Sequence, residues 1–593
     1  MSQIHEDIVD YNKVKDIILK HTLLNAIKHG GKASVKAVVS KVIGEIPSLR
    51  SRIREILKQV NEVVNYVNSL TLEEQKRIIE EKWPELLTEE RKVEEKVLPP
   101  LPNAEKYKVI VTRFAPNPDF VLHLGNARAA ILSYEYARMY KGKFILRFED
   151  TDPKTKKPMI EAYNLIKEDL KWLGLKWDEE YIQSQRMELY YNLVKELIKR
   201  KGVYVCLCTQ EEFKKYRDSG RPCPHRGQSI EENLELWDKM VRGDFNEGEA
   251  VLRVKTDMQH PDPSVRDWVA FRIIDTDKYP HPLTGSKYVA WPTYNFAAAV
   301  DDHLMGVTHI LRAKEHYQNT VKQIYLYKHM GWSYPETIHF GRLKIEGFIL
   351  SKSKIRELLE KGLGEYEGYD DPRFGTLRAL RRRGFLPETI RKVILSVGVK
   401  SADAKIHMDN IASINRKIVD PIAHRIMFVY KPVKLRIKGL TVTKVKIPFH
   451  PTNTKLGSRE IVLSRHNNAV EVYVSEEDIV KYKDKPIIRL MELANIRIVR
   501  KIDDTWECIA LSTSLDEARK AKAPIIQWTP TSGIVKVVVK KPEGTKLHLI
   551  EGIAEPALLN TKFIDRVVQF VRFGFVRIDS IKNGKVVAYF THE

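Results

Sequence analysis

Four cysteines in 593 residues exclude a fold held together by disulfide bonds and are typical of proteins from a reducing compartment. The chain also lacks an apolar run near the roughly 18 residues that cross a membrane. The stretch from Tyr294 to Val300 is among the longer ones and is far too short. The first residues, Met1 to Asp7, contain no basic segment followed by an apolar one. We therefore expect a cytoplasmic protein with no membrane partner.

The chain is long and carries an excess of positive charge. A chain of 593 residues predicts about three to six domains. Hydrophobic residues make up 43% and charged residues 30%, which is typical of globular proteins. Lys and Arg number 100 against 78 Asp and Glu, so the net charge is +22. Such an excess favours a polyanionic partner, either a nucleic acid or an anionic membrane surface.

The first 100 residues or so have the pattern of helices. Apolar residues recur at spacings of three and four between Ile53 and Val67, and Thr71 to Glu74 has the pattern of a capping box. The proline-rich stretch Leu98 to Pro102 predicts a stiff joint. We place the end of an N-terminal helical domain at residue 101 and expect it to bind a protein or RNA partner.

The segments after this joint change character twice along the chain. Strand and helix patterns first alternate, with strands predicted at Val109–Val111, Lys143–Phe148 and Val203–Cys206. This order predicts a parallel sheet with covering helices. Residues 345 to 430 then return to a helical pattern. The last 160 or so residues alternate with period two and include a hairpin signal at Asn583-Gly584, so we predict antiparallel β-barrels.

The segment Arg113 to Asn126 is the most informative one in the chain. It follows a predicted strand and precedes a predicted helix, whose first N–H groups can bind phosphate. Gly125 has no side chain, so a flat ligand can approach the backbone there. His123 can donate a hydrogen bond to a phosphate oxygen. One histidine before one glycine is weak support for a site, however, and a loop histidine without a role is the commoner case.

Several further motifs, in the same order along the chain as in a known family, support a functional site at this segment. His123, Leu124 and Gly125 match the HIGH signature, with Asn126 in place of its second histidine. Leu350, Ser351, Lys352 and Ser353 match the end of the KMSKS signature. Three further stretches match in order, namely Leu146–Pro153, Trp291–His316 and Tyr369–Phe385. On these residues the chain resembles the class I aminoacyl-tRNA synthetases of the glutamyl and glutaminyl branch.

The resemblance implies a set of site residues. Catalytic roles would belong to His123, Asn126 and Lys352. ATP would contact Pro116, His123, Leu124, Gly125, Asn126, Leu350, Ser351, Lys352 and Ser353. Because a planar guanidinium binds both oxygens of a carboxylate, arginine suits an acidic amino acid. By motif position, Arg113 would bind the side chain of the amino acid and Glu149 its ammonium group. Tyr294 and Arg312 match the tyrosine and arginine of the family's amino acid pocket.

The resemblance also implies an activity. L-Glutamate would react with ATP, with Mg²⁺ as cofactor, to give glutamyl-adenylate, and the acyl group would pass to the 3′ end of tRNA(Glu). In this branch the first step usually requires bound tRNA, so we expect that here. Whether tRNA(Gln) is a second substrate is left open. We expect a monomer.

Two alternatives remain at this point. A glutaminyl enzyme would share the fold and the motifs, but Ala115, Asn126 and Arg128 resemble the glutamyl version more closely. A synthetase-derived RNA-binding protein without catalysis would be expected to have lost His123 and Lys352. Both residues are present, which favours an enzyme.

Three of the four cysteines lie close together. Cys206, Cys208 and Cys223, with His225, could form a tetrahedral Cys₃His site for structural Zn²⁺. The spacing is unusual, and the alternative is a loop-rich insert without metal. Relatives in the family carry zinc in the corresponding insert, which favours the metal site.

Basic clusters indicate where RNA would bind. Eight Lys or Arg and no acid lie between Lys431 and Arg459, and a second cluster is Arg381 to Arg383. We predict a Rossmann-like multidomain α/β and β architecture with these segments: the appended domain 1–101, the catalytic halves 102–205 and 301–345, an acceptor-stem insert 206–300, a helical connecting domain 346–430 and anticodon-binding barrels 431–593.

Overall fold

The computed structural model describes residues 11–28, 31–46, 49, 52–83, 98–346, 348–349, 351–361 and 365–593. The chain divides into two compact units, residues 1–97 and residues 98–593. Leu98 and Leu101, from the proline-rich stretch, are buried in the core of the second unit. None of the helices in the described ranges has the length and apolarity needed to span a bilayer.

The first unit is helical in its described part, as predicted. Its helices are α1 (Tyr11–Lys28), α2 (Val35–Glu45), α3 (Ile53–Ser69) and α4 (Leu72–Lys82). The apolar stripe of α3 faces the core, where Val60 and Val67 are fully buried. The capping box of α4 is confirmed, since Glu74 N–H donates to Thr71 Oγ1 and Thr71 N–H donates to Glu74 Oε2.

The second unit begins with alternating strands and helices. In chain order these are β1 (Val111–Phe114), α5 (Leu124–Met139), β2 (Lys143–Phe148), α6 (Ile160–Trp172), β3 (Glu179–Ile182), α7 (Met187–Lys199), β4 (Val203–Cys206), α8 (Gln210–Asp218), α9 (Ile230–Arg242), β5 (Val251–Val254), β6 (Val269–Ile273), β7 (Ala290–Pro292), α10 (Tyr294–Leu304), β8 (His309–Ala313), α11 (Tyr317–Met330) and β9 (Glu336–Phe340).

A parallel sheet is confirmed at the centre of this part. Strands β1, β2 and β3 pair in parallel, as do β8 and β9. Thr308 N–H donates to the carbonyl of Val111 at 2.9 Å, which places the start of β8 beside β1. The strands therefore follow the order β3-β2-β1-β8-β9. Strands β4 to β7 form a separate antiparallel sheet between the two halves.

A helical stretch follows, as predicted for residues 345 to 430. Its elements are β10 (Leu343–Glu346), α12 (Lys352–Lys361), α13 (Leu377–Arg382), α14 (Pro387–Val397), β11 (Ala404–His407) and α15 (Met408–Val419). Helices α13, α14 and α15 contribute Leu380, Ile390 and Ile411 to the core that covers the parallel sheet.

The C-terminal region is built from β-strands. They are β12 (Arg425–Ile426), β13 (Phe428–Tyr430), β14 (Pro432–Lys438), β15 (Lys444–Pro448), β16 (Ser458–Val462), β17 (Arg465–His466), β18 (Ala469–Ser475), β19 (Ile488–Leu490), β20 (Ala494–Ile502), β21 (Thr505–Ser512), β22 (Ile525–Ile526), β23 (Thr529–Pro530), β24 (Val535–Glu543), β25 (Lys546–Ala554), β26 (Val567–Phe570), β27 (Gly574–Lys582) and β28 (Lys585–His592), with short helices α16 (Glu476–Tyr482) and α17 (Leu515–Lys520).

These strands form a seven-stranded sheet, an eight-stranded sheet and the separate two-stranded sheet β15–β16. In chain order, the strands of the last two sheets lie between β13 and β24 of the first. Most pairs are antiparallel, as predicted, but β12–β26, β24–β28, β14–β21 and β19–β22 are parallel. Each of these four pairs joins strands that are not consecutive in the chain, whereas the strands joined by hairpins are antiparallel. The predicted hairpin is confirmed, and both Asn583 and Gly584 have positive φ, as a type I′ turn requires.

Candidate active site

A chain of buried charges lies at the ends of β1, β2 and α10. Arg113 Nε donates to Asp302 Oδ1 at 3.1 Å, and Arg147 Nη1 donates to the same oxygen at 2.8 Å. Arg147 Nη2 also donates to Glu149 Oε1 at 2.9 Å. We call these four residues the pocket network. The predicted residues Arg113 and Glu149 are thus joined through two residues that our sequence analysis did not select.

The two acids of the pocket network differ in protonation behaviour. Burial alone would raise the pKa of Asp302, but Arg113 and Arg147 lower it to about 2. Burial raises the pKa of Glu149, although Arg147 and Arg113 oppose the shift. Asp302 therefore already has two cationic partners, Arg113 and Arg147. Glu149 has one, so it is the carboxylate that a further cation would stabilise. An α-ammonium group is such a cation.

Arg312 is a buried cation without an acidic partner among the described residues. It lies on β8 with its side chain 5% exposed, and its Nη2 donates to three neutral acceptors, Thr320 Oγ1, Gln323 Oε1 and Tyr334 Oη. Its Nε and Nη1 atoms are buried and have no hydrogen-bond partner in the described part of the chain. A buried guanidinium with unused donors favours an anionic ligand.

Tyr294 begins α10 on the same side of the sheet. Burial, then the charge of Glu149, raises its pKa, and Arg312 and Arg113 oppose this shift. Its ring lies 5.6 Å from the ring of His316, whose pKa burial and Arg312 lower to about 4. The structure thus brings together all four residues that the resemblance selected for the amino acid.

His123 precedes helix α5 at the neighbouring turn. Its Nδ1 accepts a hydrogen bond from Gly125 N–H at 3.0 Å, and Asn126 Oδ1 accepts one from His123 N–H at 3.2 Å. Burial, and secondly Lys352, lowers the pKa of His123 to about 4, so the ring is neutral at pH 7. With Nδ1 as acceptor, Nε2 carries the proton and is a donor.

The room beside Gly125 is shared with this imidazole. A Cβ atom at Gly125 would lie 2.8 Å from Cε1 of His123, so the glycine makes space for the ring itself. The space that we predicted for a flat ligand is therefore partly filled. Leu124 is buried in the core. Asn126 holds the turn by the hydrogen bond just described.

Lys352 occupies the first turn of α12 rather than an irregular loop. Ser351 precedes the helix, Ser353 is exposed on it, and Leu350 lies outside the described residues. The Lys352 ammonium forms an ion pair with Asp119, in the segment between β1 and α5. That segment also contacts the pocket network, because Glu149 N–H donates to the Pro116 carbonyl at 3.0 Å. The His123 turn and the pocket network are therefore connected.

Cys206, Cys208, Cys223 and His225 converge at the end of β4. Their ligand atoms all lie within 4.8 Å of one another. The two sulfur atoms of Cys206 and Cys223 are 3.8 Å apart, and Cys208 Sγ is 3.4 Å from His225 Nδ1. Zn–S bonds of about 2.3 Å place two sulfur ligands of a tetrahedron about 3.8 Å apart. The donor set and spacing therefore fit Zn²⁺.

A basic cleft of about 470 Å³ lies on the eight-stranded sheet. Three cations and one acid line it together with Trp506, namely Lys483, Lys485, Arg497 and Asp484. The Trp506 ring is partly exposed, and Lys501 Nζ lies 5.9 Å from its centroid. Cations around an accessible indole are suited to a nucleic acid base and its phosphate.

The basic clusters of the sequence are less available than we predicted. In the cluster Arg381 to Arg383, Arg382 pairs with Glu367 and Asp370, and Arg383 is buried, which lowers its pKa to about 10. Only Arg381 of the three is exposed. The prediction of a three-arginine RNA surface was wrong, because the cluster packs against β28.

Acids from other strands also neutralise much of the run from Lys431 to Arg459. Lys434 and Arg436 pair with Glu471, and Lys438 pairs with Glu507. The run itself contains no acid, but its neighbours in the sheet supply them. A basic run in a strand therefore does not show how much free charge the folded surface carries.

Four residues near the site were missed in the sequence analysis: Asp119, Arg147, Asp302 and His316. Each lies inside a motif that we used for the resemblance or its first signature, but none was given a role. Asp302 carried a local signal, since two acids end the apolar stretch Phe296–Val300 of a helix, and acids there are rarely buried without partners.

Comparisons with known proteins agree with this geometry. The family model for the catalytic domain of class I tRNA synthetases (E and Q) matches residues 109–421, and the model for their anti-codon binding domain matches residues 423–516. A glutamate–tRNA ligase from Hyperthermus butylicus is 56% identical, with 96% of this chain and 100% of the relative covered. One from Pyrococcus furiosus is 51% identical, with 98% and 100% covered. The matched residues 109–421 include the pocket network, the His123 turn and the cysteine cluster.

Proposed function

Because this chain belongs to the class I tRNA synthetases for glutamate and glutamine, we propose that it activates L-glutamate with ATP and transfers it to the 3′ end of tRNA(Glu). The observation that carries the choice of amino acid is Arg312. Its Nε and Nη1 atoms, buried and without a hydrogen-bond partner among the described residues, favour a negative group, which the side chain of glutamate supplies and that of glutamine does not.

Each end of the amino acid has a counterpart in the pocket. Glu149 receives the α-ammonium group, and this new cation lowers the pKa of a carboxyl that burial has raised. Arg312, and not Arg113 as expected from the motif position, binds the side-chain carboxylate in this proposal, because Arg113 is already paired with Asp302. Tyr294 lies beside Arg312. Arg113 contributes positive charge while Asp302 holds its guanidinium in place. No side chain acts as a nucleophile; the rate enhancement comes from orientation and charge stabilisation.

The nucleotide lies at the His123 turn in this proposal. The neutral imidazole donates from Nε2 to a phosphate oxygen, and Lys352 stabilises the charge of the leaving pyrophosphate. Mg²⁺ bound to ATP supplies further neutralisation of the phosphates. Among the described residues, the cysteine and histidine cluster is the one group of three or more potential ligands that converges. We therefore assign no protein ligands to Mg²⁺.

Aminoacylation with purified components tests the proposal. We expect glutamate, and not glutamine, to be attached to tRNA(Glu), and pyrophosphate exchange to require bound tRNA. The same assay with tRNA(Gln) shows whether that RNA is a second substrate. Attachment of glutamine, or no attachment of either amino acid, would contradict the assignment; exchange of equal rate without tRNA would contradict the tRNA requirement alone.

The cysteine cluster is proposed to hold one structural Zn²⁺. Cys206, Cys208, Cys223 and His225 would fix the loop after β4, where such a metal adds stability to a fold. Metal analysis of freshly purified protein should give one zinc per chain. Cys208→Ser should lose the metal, whereas Cys508→Ser, at a buried cysteine outside the cluster, should keep it. Protein purified without zinc would refute the site.

RNA recognition is proposed to use the basic cleft beside Trp506. An unstacked base would lie against the indole while Lys483 and Lys485 contact phosphate. The cleft lies within the segment that matches the anti-codon binding domain. Because phosphate contacts release counterions, tRNA affinity should fall steeply with salt. The division of the chain into six functional segments stays a prediction.

A further inference from the structure

We propose that Asp119 is a positioning residue that holds Lys352 when no nucleotide is bound and competes with the phosphates of ATP for its ammonium group. The inference rests on the proposed function, because it takes Lys352 as the residue that contacts phosphate. It adds a built-in competitor to that site.

Contacts on both sides of Asp119 support this role. Its carboxylate pairs with Lys352 Nζ, and its backbone carbonyl accepts a hydrogen bond from Arg356, one turn further along α12. The Asp119 side chain is 10% exposed and that of Lys352 is 32% exposed. Two successive turns of α12 therefore contact the same residue of the β1–α5 segment, one through its side chain and one through its backbone.

The next residue strengthens this contact. Phe120 lies with its ring centroid 5.8 Å from the Arg356 guanidinium carbon and 5.4 Å from the ring of Tyr369. Phe120 and Ile355 belong to one small buried cluster. The packing of the neighbouring residues thus holds the Asp119 carboxylate next to the Lys352 ammonium group.

The surrounding charges show what the carboxylate replaces. Burial lowers the pKa of Lys352, Asp119 opposes this shift, and the nearby cations Arg356 and Lys156 add to the lowering. His123, directly before α5, is close enough to Lys352 for that cation to add to the lowering of the pKa of its ring. A group of cations beside a helix N-terminus is a site for phosphate. Without a nucleotide, the Asp119 carboxylate takes part of that role.

This arrangement has a measurable consequence. When the binding-competent state is only a fraction of the population, the apparent dissociation constant rises by the inverse of that fraction. ATP must displace Asp119 from Lys352, so removing the carboxylate should tighten ATP binding. A residue that only supports the local fold would weaken binding when it is replaced.

Asp119→Asn tests the proposal, because it keeps the shape and removes the charge. Calorimetry with the α,β-methylene analogue of ATP and Mg²⁺ should show binding about threefold to tenfold tighter than in the unchanged protein. The KM for ATP in aminoacylation should fall by a similar factor. Glu357→Gln, an exposed acid on the same helix that pairs with Lys354 and Lys361, is the matched control and should leave both values unchanged.

A second background separates competition from a structural role. In Lys352→Ala protein, adding Asp119→Asn should change the affinity for the analogue by less than twofold, since no ammonium remains to compete for. Unchanged or weaker binding in the single variant, or an equal gain in both backgrounds, overturns the proposal. If Asp119→Asn does not fold, Asp119→Ser is measured in its place. A chain that binds no ATP analogue at all contradicts the proposed function instead.

Discussion

The pocket network and the surface of the C-terminal sheets use the same ion-pair chemistry under opposite conditions. Arg147 and Asp302 meet at 2.8 Å with side chains 0% and 1% exposed, whereas Lys444 and Glu460, on β15 and β16, meet at 3.1 Å with 62% and 55% exposed. Similar distances therefore conceal different energetics. Water already stabilises the exposed charges, but each buried charge depends on its partner. The comparison teaches that burial determines what a lost partner costs.

Removing Asp302 should have the largest effect. Asp302→Asn leaves Arg113 and Arg147 buried without their shared anion, and breaking a buried pair costs about 3–5 kcal/mol. We expect a clear fall in the midpoint of thermal unfolding and loss of glutamate activation. Thermal unfolding by circular dichroism and pyrophosphate exchange with tRNA measure these effects. Unchanged unfolding would mean that the pocket charges are solvated, and the contrast between the two regions would fail.

Arg312 provides the opposite case within the pocket, because none of the acids in the described residues forms an ion pair with it. Arg312→Lys keeps a positive charge but loses the planar pair of donors, so it should reduce kcat/KM for glutamate about 100-fold. Its unfolding midpoint should stay near that of the unchanged protein. Arg342→Lys, at an exposed arginine paired with Glu315, is the control and should keep full activity. Equal activity in both variants would contradict a role for Arg312 in binding the carboxylate.

The sequence could predict those parts of the site that lie within local motifs. The turn at His123, the pocket residues Arg113 and Glu149 and the cysteine cluster all follow from short patterns, and the structure brings each set together. The secondary structure around them was also predictable. Strand β4 begins and ends where its pattern does, at Val203 and Cys206.

Partners across long separations could not be predicted. Arg147 and Asp302 are 155 residues apart in the chain, and their contact depends on how α10 packs over the parallel sheet. The same reason explains why Arg382 and Arg383 face β28 and not RNA. A local pattern identifies a charged residue, but the packing of distant elements decides whether that charge is paired, buried or free.

Substitution of Trp506 in the basic cleft should have a moderate effect, limited to the affinity for tRNA. Base stacking on an aromatic side chain contributes about 1–3 kcal/mol, so Trp506→Ala should weaken tRNA binding roughly tenfold. Trp506→Phe keeps a ring in the cleft and should retain most of the affinity. Filter binding with tRNA(Glu) measures both variants, and glutamate-dependent activity at saturating tRNA should remain. Equal affinity in the alanine and phenylalanine variants would show that no base stacks there.

The exposed pair provides the smallest expected effect and completes the comparison. Glu460→Gln removes the partner of Lys444, yet both groups lie in water, where side-chain entropy and screening cancel most of the attraction. We expect no measurable shift in the unfolding midpoint and none in aminoacylation. Unfolding of Glu460→Gln and Asp302→Asn in the same buffer makes the test direct. A large loss of stability in the exposed variant would show that the contact distance, and not burial, sets the energy of these ion pairs.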